Sequence, residues 1–215
     1  MQGLIVDWGG VLTMPIRTAL RGWLTVSGVD HDHYGAVLRR WVEPTPGEIS
    51  PVHQLERGEL SVEEFEHLFS EALAAEGSAV EARGLVGRML ADLAIYEDSM
   101  TSLVTRAHAS GVRTGLLSNS WGNDYDRSDW HEMFDVVVIS GEVGMRKPER
   151  EIFELAVDRI GLPAGECVFI DDMAHNVAAA ARVGLVGIVH RSFGETAGEL
   201  AALFPGAGWI HQRLH

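Results

Sequence analysis

The chain has 215 residues, of which 46% are hydrophobic and 22% charged, a composition typical of a globular protein with one main domain and room for a smaller insert. Its 17 basic and 31 acidic residues give a formal net charge of −14, which argues against a nucleic-acid partner. The start lacks a basic signal segment, no apolar run approaches the roughly 20 residues of a membrane span, and one cysteine excludes an internal disulfide. We therefore expect a cytoplasmic enzyme with no membrane partner, in which Cys167 is a buried small side chain. The oligomeric state is not indicated.

The first predicted strand covers residues 3–6, GLIV, an apolar run that is too short for a helix. Asp7 stands where this strand ends, and Gly9 and Gly10 allow a tight turn and a close approach of the backbone to a ligand. Taken alone, the stretch is equally consistent with a hairpin in which Asp7 caps the turn. The side chains that follow the other strands decide between these two interpretations.

Residues 14–92 interrupt the strand pattern with five helical segments, which predict a separate helical subdomain inserted after the first strand. In the fourth segment, Ser61 and Glu64 match a capping box at a helix start. The apolar face of that helix is predicted to consist of Phe65, Leu68, Phe69 and Leu73.

Four more strands are predicted after this insert, separated by stretches long enough for crossover connections. They are RTGLLSN (113–119), DVVVIS (135–140), ECVFIDD (166–172) and LVGIVH (185–190). The alternation of strands and helices predicts an α/β fold with a three-layer, Rossmann-like parallel sheet. Its core should comprise residues 1–13 and 93–215, with residues 14–92 as an inserted helical cap. In such sheets the ligand site lies at the carboxyl ends of the strands.

Polar and charged side chains follow four of the predicted strands. They are Asp7 after the first strand, Ser118 and Asn119 after the second, Lys147 beyond the third, and Asp171 with Asp172 after the fourth. A carboxylate can attack phosphorus, a lysine and a hydroxyl can bind phosphoryl oxygens, and clustered carboxylates suit Mg²⁺. Each residue also has an ordinary structural explanation, as a capping aspartate, a turn serine, a solvated lysine or an exposed acidic pair. Their occurrence in order at four strand ends favours one shared site for a small phosphorylated molecule.

The order and spacing of these residues resemble the haloacid dehalogenase-like (HAD) hydrolase superfamily, in the branch with a helical cap after the first strand. The four motifs that carry the resemblance are DWGGVLT (7–13), LLSNS (116–120), RKPEREIF (146–153) and VFIDDMAHN (168–176). The resemblance implies that Asp7 is the catalytic nucleophile. It also implies that Ser118, with Asn119 and Lys147, binds the phosphoryl group.

The resemblance further implies a Mg²⁺ site with ligands from Asp7, the backbone carbonyl of Gly9 and Asp172, with Asp171 beside them, under a mobile cap that sets substrate choice. Phosphatases of this family usually carry a second aspartate two residues after the nucleophile as the general acid, and this chain has Gly9 there. General acid catalysis is typically worth ~10²–10⁴-fold, so slow turnover of alkyl phosphates is expected unless another group substitutes. The predicted activity is Mg²⁺-dependent hydrolysis of small phosphorylated metabolites through an aspartyl-phosphate intermediate.

Two other functions stay open. A protein that keeps the fold with little turnover, in a binding or regulatory role, is compatible with the loss of an acid at Gly9. A haloacid dehalogenase would use Asp7 against carbon without Mg²⁺, and it would leave Asp171 and Asp172 without a role.

Two segments are also left open. The polar loop 121–130 contains Trp121, Tyr125 and Trp130, which either contact substrate or pack against the cap. The C-terminal WIHQRLH (209–215) is either a last edge strand or a tail.

Overall fold

A computed structural model of the chain describes residues 1–210, apart from residue 46, residues 92–94 and residues 123–124. The described residues contain one sheet of five parallel strands, as predicted. The strands are β1 (Gly3–Val6), β2 (Arg113–Ser118), β3 (Val136–Ile139), β4 (Cys167–Asp171) and β5 (Val186–Val189), in the order β3-β2-β1-β4-β5. No helix in the described part of the chain is long and apolar enough to cross a bilayer.

The central strand is β1, and its last residue, Val6, pairs with both β2 and β4. The chain builds the sheet outward from β1 through β2 to β3, and then crosses back to add β4 and β5 on the other side. A parallel sheet has its ligand crevice at such a reversal, beyond the carboxyl ends of the strands. Asp7, Ser118 and Asp171 therefore lie at the same edge of the sheet.

Five helices follow β1, and we call residues 16–90, which contain them, the helical insert. They are α1 (Ile16–Ser27), α2 (His31–Val42), α3 (Pro51–Glu56), α4 (Val62–Glu76) and α5 (Leu85–Leu90). Buried apolar side chains from all five helices form a hydrophobic cluster of their own, distinct from the clusters that cover the sheet. The insert thus has a hydrophobic core of its own.

Helix α4 begins with the predicted capping box. Its Phe65, Phe69 and Leu73 are fully buried, but the prediction for Leu68 is wrong, because that side chain is 41% exposed. Residues four apart advance by about 40° around a helix, so the stripe through 65, 69 and 73 turns away from Leu68. The stripe turns towards Glu66, a buried carboxylate that accepts hydrogen bonds of 2.8 and 2.9 Å from backbone N–H groups at the start of α5.

Helices cover both faces of the sheet and complete the predicted three layers. The core helices are α6 (Asp98–Ala109), the short α7 (Ser140–Val143), α8 (Arg150–Ile160), α9 (Ala174–Val183) and α10 (Phe193–Leu203). On one face, α6 and α10 pack with Leu4 of β1, and on the other, α8 and α9 pack with its neighbour Ile5. Cys167 is fully buried in the second of these clusters, as predicted.

The start of the C-terminal segment forms neither of the two predicted structures. Residues Gly208–Ile210 form a 3₁₀ turn, and Trp209 and Ile210 are buried in the cluster beside α6. Arg106 donates a hydrogen bond of 2.9 Å from Nε to the carbonyl of Trp209. Two large apolar side chains are therefore used to complete the core, and residues 211–215 lie outside the described part of the chain.

The two glycines after β1 have different structural requirements. Gly10 has a φ of +77°, and a Cβ on it would lie 2.6 Å from Oδ2 of Asp172. Gly9 has an ordinary φ, and a Cβ on it would meet only the end of the Ile16 side chain, at 3.1 Å. The turn therefore needs glycine at position 10 for both conformation and space, whereas a small side chain at position 9 requires only that Ile16 shift slightly.

The separate core of the insert predicts that substitutions at two positions on α4 differ greatly in how much they lower the free energy of unfolding. We expect Phe65→Ala to lower the free energy of unfolding by about 3–5 kcal/mol, because a buried aromatic side chain leaves a cavity. The matched control Leu68→Ala removes an exposed side chain and should cost about 1 kcal/mol or less. Urea denaturation of both variants provides the measurement, and equal losses would contradict the orientation of α4.

The turn after β1 predicts that Gly10→Ala and Gly9→Ala differ in stability. A left-handed conformation costs a residue with a Cβ roughly 1–2 kcal/mol, and Gly10→Ala also pushes against the Asp172 carboxylate. We therefore expect Gly10→Ala to destabilise the protein by at least about 1 kcal/mol more than Gly9→Ala does. Thermal and urea unfolding of the two variants measure this difference, and similar stabilities would show that the turn does not require glycine at position 10.

Candidate active site

Asp7 lies directly beyond β1 and is only 8% exposed. Its Oδ1 accepts a hydrogen bond of 2.7 Å from the backbone N–H of Trp8 and lies 2.7 Å from Nζ of Lys147. The strand end fixes the backbone here, and these two donors fix the carboxylate. Asp7 is therefore oriented within the site, and the hairpin interpretation of this stretch is wrong because β1 is the centre of a parallel sheet.

Lys147 is 1% exposed and lies between two carboxylates. Its Nζ is 2.7 Å from Oδ1 of Asp7 and 2.7 Å from Oδ2 of Asp171. Burial acts to lower the pKa of this ammonium group, but the charges of Asp171 and Asp7 outweigh burial and raise it above its ordinary value. The lysine is therefore a buried cation, and the alternative of a solvated surface lysine is wrong.

Asn119 fixes the backbone of Lys147 from the end of β2. Its Nδ2 donates a hydrogen bond of 3.0 Å to the Lys147 carbonyl, and its Oδ1 accepts one of 2.8 Å from the Lys147 N–H. Both ends of the amide thus hold the residue that carries the cation, which is a positioning role. A direct contact between Asn119 and substrate stays a prediction.

Asp171 is the fully buried last residue of β4. Besides the contact with Lys147, its Oδ1 accepts hydrogen bonds of 2.8 Å from the backbone N–H of Met173 and 3.0 Å from Nδ2 of Asn176. Asn176 is the last residue of the fourth motif, and no pattern in the sequence predicts a role for it. The buried amide on α9 orients Asp171, and only the fold brings the two side chains together.

Asp7, Asp171 and Asp172 form an acidic cluster, in which each side chain offers an oxygen and these oxygens lie within 4.8 Å of one another. Burial, with the charge of Asp171 adding to it, raises the pKa of Asp7 to about 8, although Lys147 acts to lower it. Burial and Asp171 also raise the pKa of Asp172 to about 6. One lysine therefore does not balance the three carboxylates, and an all-oxygen set with excess negative charge fits a divalent cation such as Mg²⁺.

Ser118 is 2% exposed at the end of β2, and its Oγ lies 3.0 Å from the hydroxyl oxygen of Tyr125. The three aromatic residues of loop 121–130 have three different environments. Trp121 packs against Phe65 of the insert, Trp130 is buried in the core, and Tyr125 reaches the site. Trp121 therefore packs against the insert, Trp130 packs in the core of the sheet instead, and a contact between Tyr125 and substrate stays a prediction.

The end of helix α3 is joined to the loop that carries Lys147 by two ion pairs. Glu56 pairs with Arg146, and Nε of Arg57 donates a hydrogen bond of 3.0 Å to Oε1 of Glu149. Glu56 and the Arg146 side chain are largely buried. The helical insert is thus held against the segment immediately on either side of the buried lysine.

Curated relatives resemble parts of this chain at low identity. It is 26% identical over 190 residues to acyl-CoA dehydrogenase family member 10 of Mus musculus. The aligned region covers 86% of this chain but only 17% of the mouse protein. It is 31% identical over 142 residues to a sesquiterpene phosphatase of Aspergillus oryzae, covering 63% of this chain and 69% of the relative. The chain therefore corresponds to a small part of the first relative and to about two thirds of the second.

Solved structures share the fold. A HAD family enzyme from Bacteroides thetaiotaomicron, crystallised with magnesium and inorganic phosphate, matches 89% of this chain and 94% of its own, with a TM-score of 0.66 at 20% identity. The family model described as haloacid dehalogenase-like hydrolase matches residues 1–184, and this range includes every residue of the candidate site. With the parallel sheet and the acidic cluster at its carboxyl edge, this match shows that the chain belongs to the haloacid dehalogenase-like hydrolase family.

Proposed function

We propose that the protein is a Mg²⁺-dependent phosphatase of small phosphorylated metabolites, with Asp7 as the nucleophile. The observation that carries this proposal is the buried Lys147 ammonium, 2.7 Å from an oxygen of Asp7, beside two further carboxylates. A cation fixed beside an anionic nucleophile suits an anionic substrate, because it offsets charge repulsion as the two approach. Two similar proteins support the same chemistry. One is named a sesquiterpene phosphatase, and the other is a HAD family enzyme crystallised with magnesium and inorganic phosphate.

In the proposed reaction, a carboxylate oxygen of Asp7 attacks phosphorus and the bond between phosphorus and the ester oxygen breaks. Ser118 donates a hydrogen bond to a non-bridging phosphoryl oxygen, and Lys147 orients Asp7 and acts to lower its pKa. Water then cleaves the aspartyl phosphate and releases inorganic phosphate. Asp7, Asp172 and the Gly9 carbonyl, with Asp171 beside them, would hold Mg²⁺, which would supply positive charge to the phosphoryl oxygens.

We also propose that the helical insert is a cap over this site and that residues 14–92 and the core of 1–13 and 93–215 are separate units. The hydrophobic core of the insert supports this division, and the predicted boundary near residue 92 lies outside the described residues. The two ion pairs between α3 and the Lys147 loop would hold the cap in place over the strand ends. Substrate choice would then depend on the insert.

A catalytically weak binding or regulatory protein is the second candidate, and Gly9 is the observation that favours it. Position 9 carries no carboxyl group that could protonate a leaving group. Such a protein would bind phosphate or a phosphate ester at the same residues without hydrolysing it. Activity measurements therefore separate the two candidates directly.

The acidic cluster predicts dependence on a divalent cation. We expect p-nitrophenyl phosphate hydrolysis to require Mg²⁺, to stop in excess EDTA and to return when Mg²⁺ is restored. Asp172→Asn should lower kcat/KM on the order of 100-fold or more while the protein stays folded. The matched control Asp158→Asn changes an exposed aspartate on α8 and should retain full activity.

Full phosphatase activity in excess EDTA would contradict the metal site. Halide release from a 2-haloacid without Mg²⁺ would instead identify a dehalogenase. Binding of inorganic phosphate without any ester hydrolysis would identify the binding protein.

The ion pairs at the insert predict measurable coupling between insert and core. In a double-mutant cycle of Glu56→Gln and Arg146→Met, we expect a coupling energy of about 0.5–3 kcal/mol, because the two groups are in contact and largely buried. The matched control is the exposed pair Arg150 and Glu154, one turn apart on α8, which should give about 0.5 kcal/mol or less. Urea denaturation measures both cycles, and equal coupling in the two would contradict a fixed contact between α3 and the Lys147 loop.

A further inference from the structure

Gly9 leaves the proposed phosphatase without the usual acid, and Tyr125 is placed to supply the proton. This inference rests on the proposed function. The Tyr125 hydroxyl lies 3.0 Å from Oγ of Ser118, the residue expected to bind the phosphoryl group. The phenol is thus at the carboxyl edge of the sheet, although its residue lies seven positions beyond the end of β2.

The ring of Tyr125 is held by two tryptophans. It packs edge-on against Trp8, with 5.6 Å between ring centroids, and is tilted against Trp130, at 5.5 Å. Trp8 is the residue whose backbone N–H donates to the Asp7 carboxylate. The same residue therefore contacts the nucleophile through its backbone and the phenol through its side chain, which fixes Tyr125 relative to Asp7.

Two other hydrogen-bonding groups of the site already have partners. The Lys147 ammonium lies between two carboxylates, and both ends of the Asn119 amide bind the Lys147 backbone. Within the described part of the chain, the Tyr125 hydroxyl is hydrogen-bonded to the hydroxyls of Ser118 and Ser120, which are neutral partners that a substrate oxygen can replace. A donor beside the hydroxyl that binds one phosphoryl oxygen is also close to the other oxygens on that phosphorus.

The phenol keeps its proton at neutral pH. Burial is the largest effect and raises its pKa above the ordinary value of 10.0, and the nearby charge of Asp7 acts in the same direction. The hydrogen bonds with Ser118 and Ser120 act to lower the pKa but do not outweigh burial. A protonated phenol is the form that a general acid requires, since it must donate to an ester oxygen that becomes a far more basic alkoxide.

We propose that Tyr125 is the catalytic acid and base of this enzyme, in place of the aspartate missing at position 9. When Asp7 attacks phosphorus, the bond from phosphorus to the ester oxygen breaks, and that oxygen takes the phenol proton and leaves as an alcohol. The products of this step are the aspartyl phosphate and a tyrosinate. In the second step the tyrosinate takes a proton from water as the water oxygen attacks phosphorus. The bond from phosphorus to Asp7 then breaks, which releases phosphate and restores both side chains.

The test compares two substrates that differ in their need for an acid. Hydrolysis of p-nitrophenyl phosphate releases a stable phenolate, whereas glucose 6-phosphate releases an alkoxide that must be protonated. We expect Tyr125→Phe to lower kcat/KM by about 10²–10⁴-fold for glucose 6-phosphate and by less than about tenfold for p-nitrophenyl phosphate. Tyr96→Phe is the matched control, because its ring also packs against Trp8, at 5.5 Å, and it should change neither value.

A second variant tests whether the lost group is an acid. Gly9→Asp, introduced into Tyr125→Phe, should restore glucose 6-phosphate hydrolysis selectively, since position 9 has an ordinary φ and a Cβ there would contact only the Ile16 side chain. Equal losses for both substrates in a folded Tyr125→Phe would overturn the proposal and assign Tyr125 a structural role. Wild-type hydrolysis of p-nitrophenyl phosphate but not of glucose 6-phosphate would overturn it too, because no acid would then act. If the wild type hydrolyses neither ester, the proposed function itself would be overturned.

Discussion

The ammonium group of Lys147 lies between Asp7 and Asp171, and the arrangement of the candidate site depends on this buried contact. Three carboxylates at one edge of a sheet repel one another, and a buried lysine without an anion would be equally costly. Each therefore stabilises the other, and the pair is satisfied only in the folded chain. The remaining negative charge, centred on Asp7 and Asp172, is what makes the site suitable for a divalent cation.

The position of that ammonium group is set by parts of the molecule that are distant in sequence. Asn119 at the end of β2 holds the Lys147 backbone, and the pairs from Glu56 and Arg57 hold the residues on either side of it. Movement of the helical insert relative to the core would thus act on Lys147 through Arg146.

The two glycines in the turn after β1 are subject to different structural requirements. Gly10 is needed because its conformation is left-handed and Asp172 occupies the space of a side chain. Gly9 has neither constraint, so the backbone conformation at position 9 does not by itself exclude a side chain with a carboxyl group. The nearby Tyr125 hydroxyl offers a proton donor from a different element, and the aromatic contacts with Trp8 and Trp130 hold it there.

Local patterns in the sequence were sufficient for the five strands, the helical insert and the set of strand-end residues. Strand runs, helix spacing and glycine stops are short-range signals, and parallel strands necessarily bring their carboxyl ends to one edge. Contacts between residues distant in sequence could not be predicted from these local patterns. The exposure of Leu68, the burial of Trp209, and the hydrogen bonds of Asn176 and Tyr125 each depend on how distant elements pack. The sequence by itself therefore determined that the strand-end residues share one edge of the sheet, because parallel strands bring their carboxyl ends together. Only the tertiary structure decided what each side chain contacts there, because those contacts join residues that no local period relates.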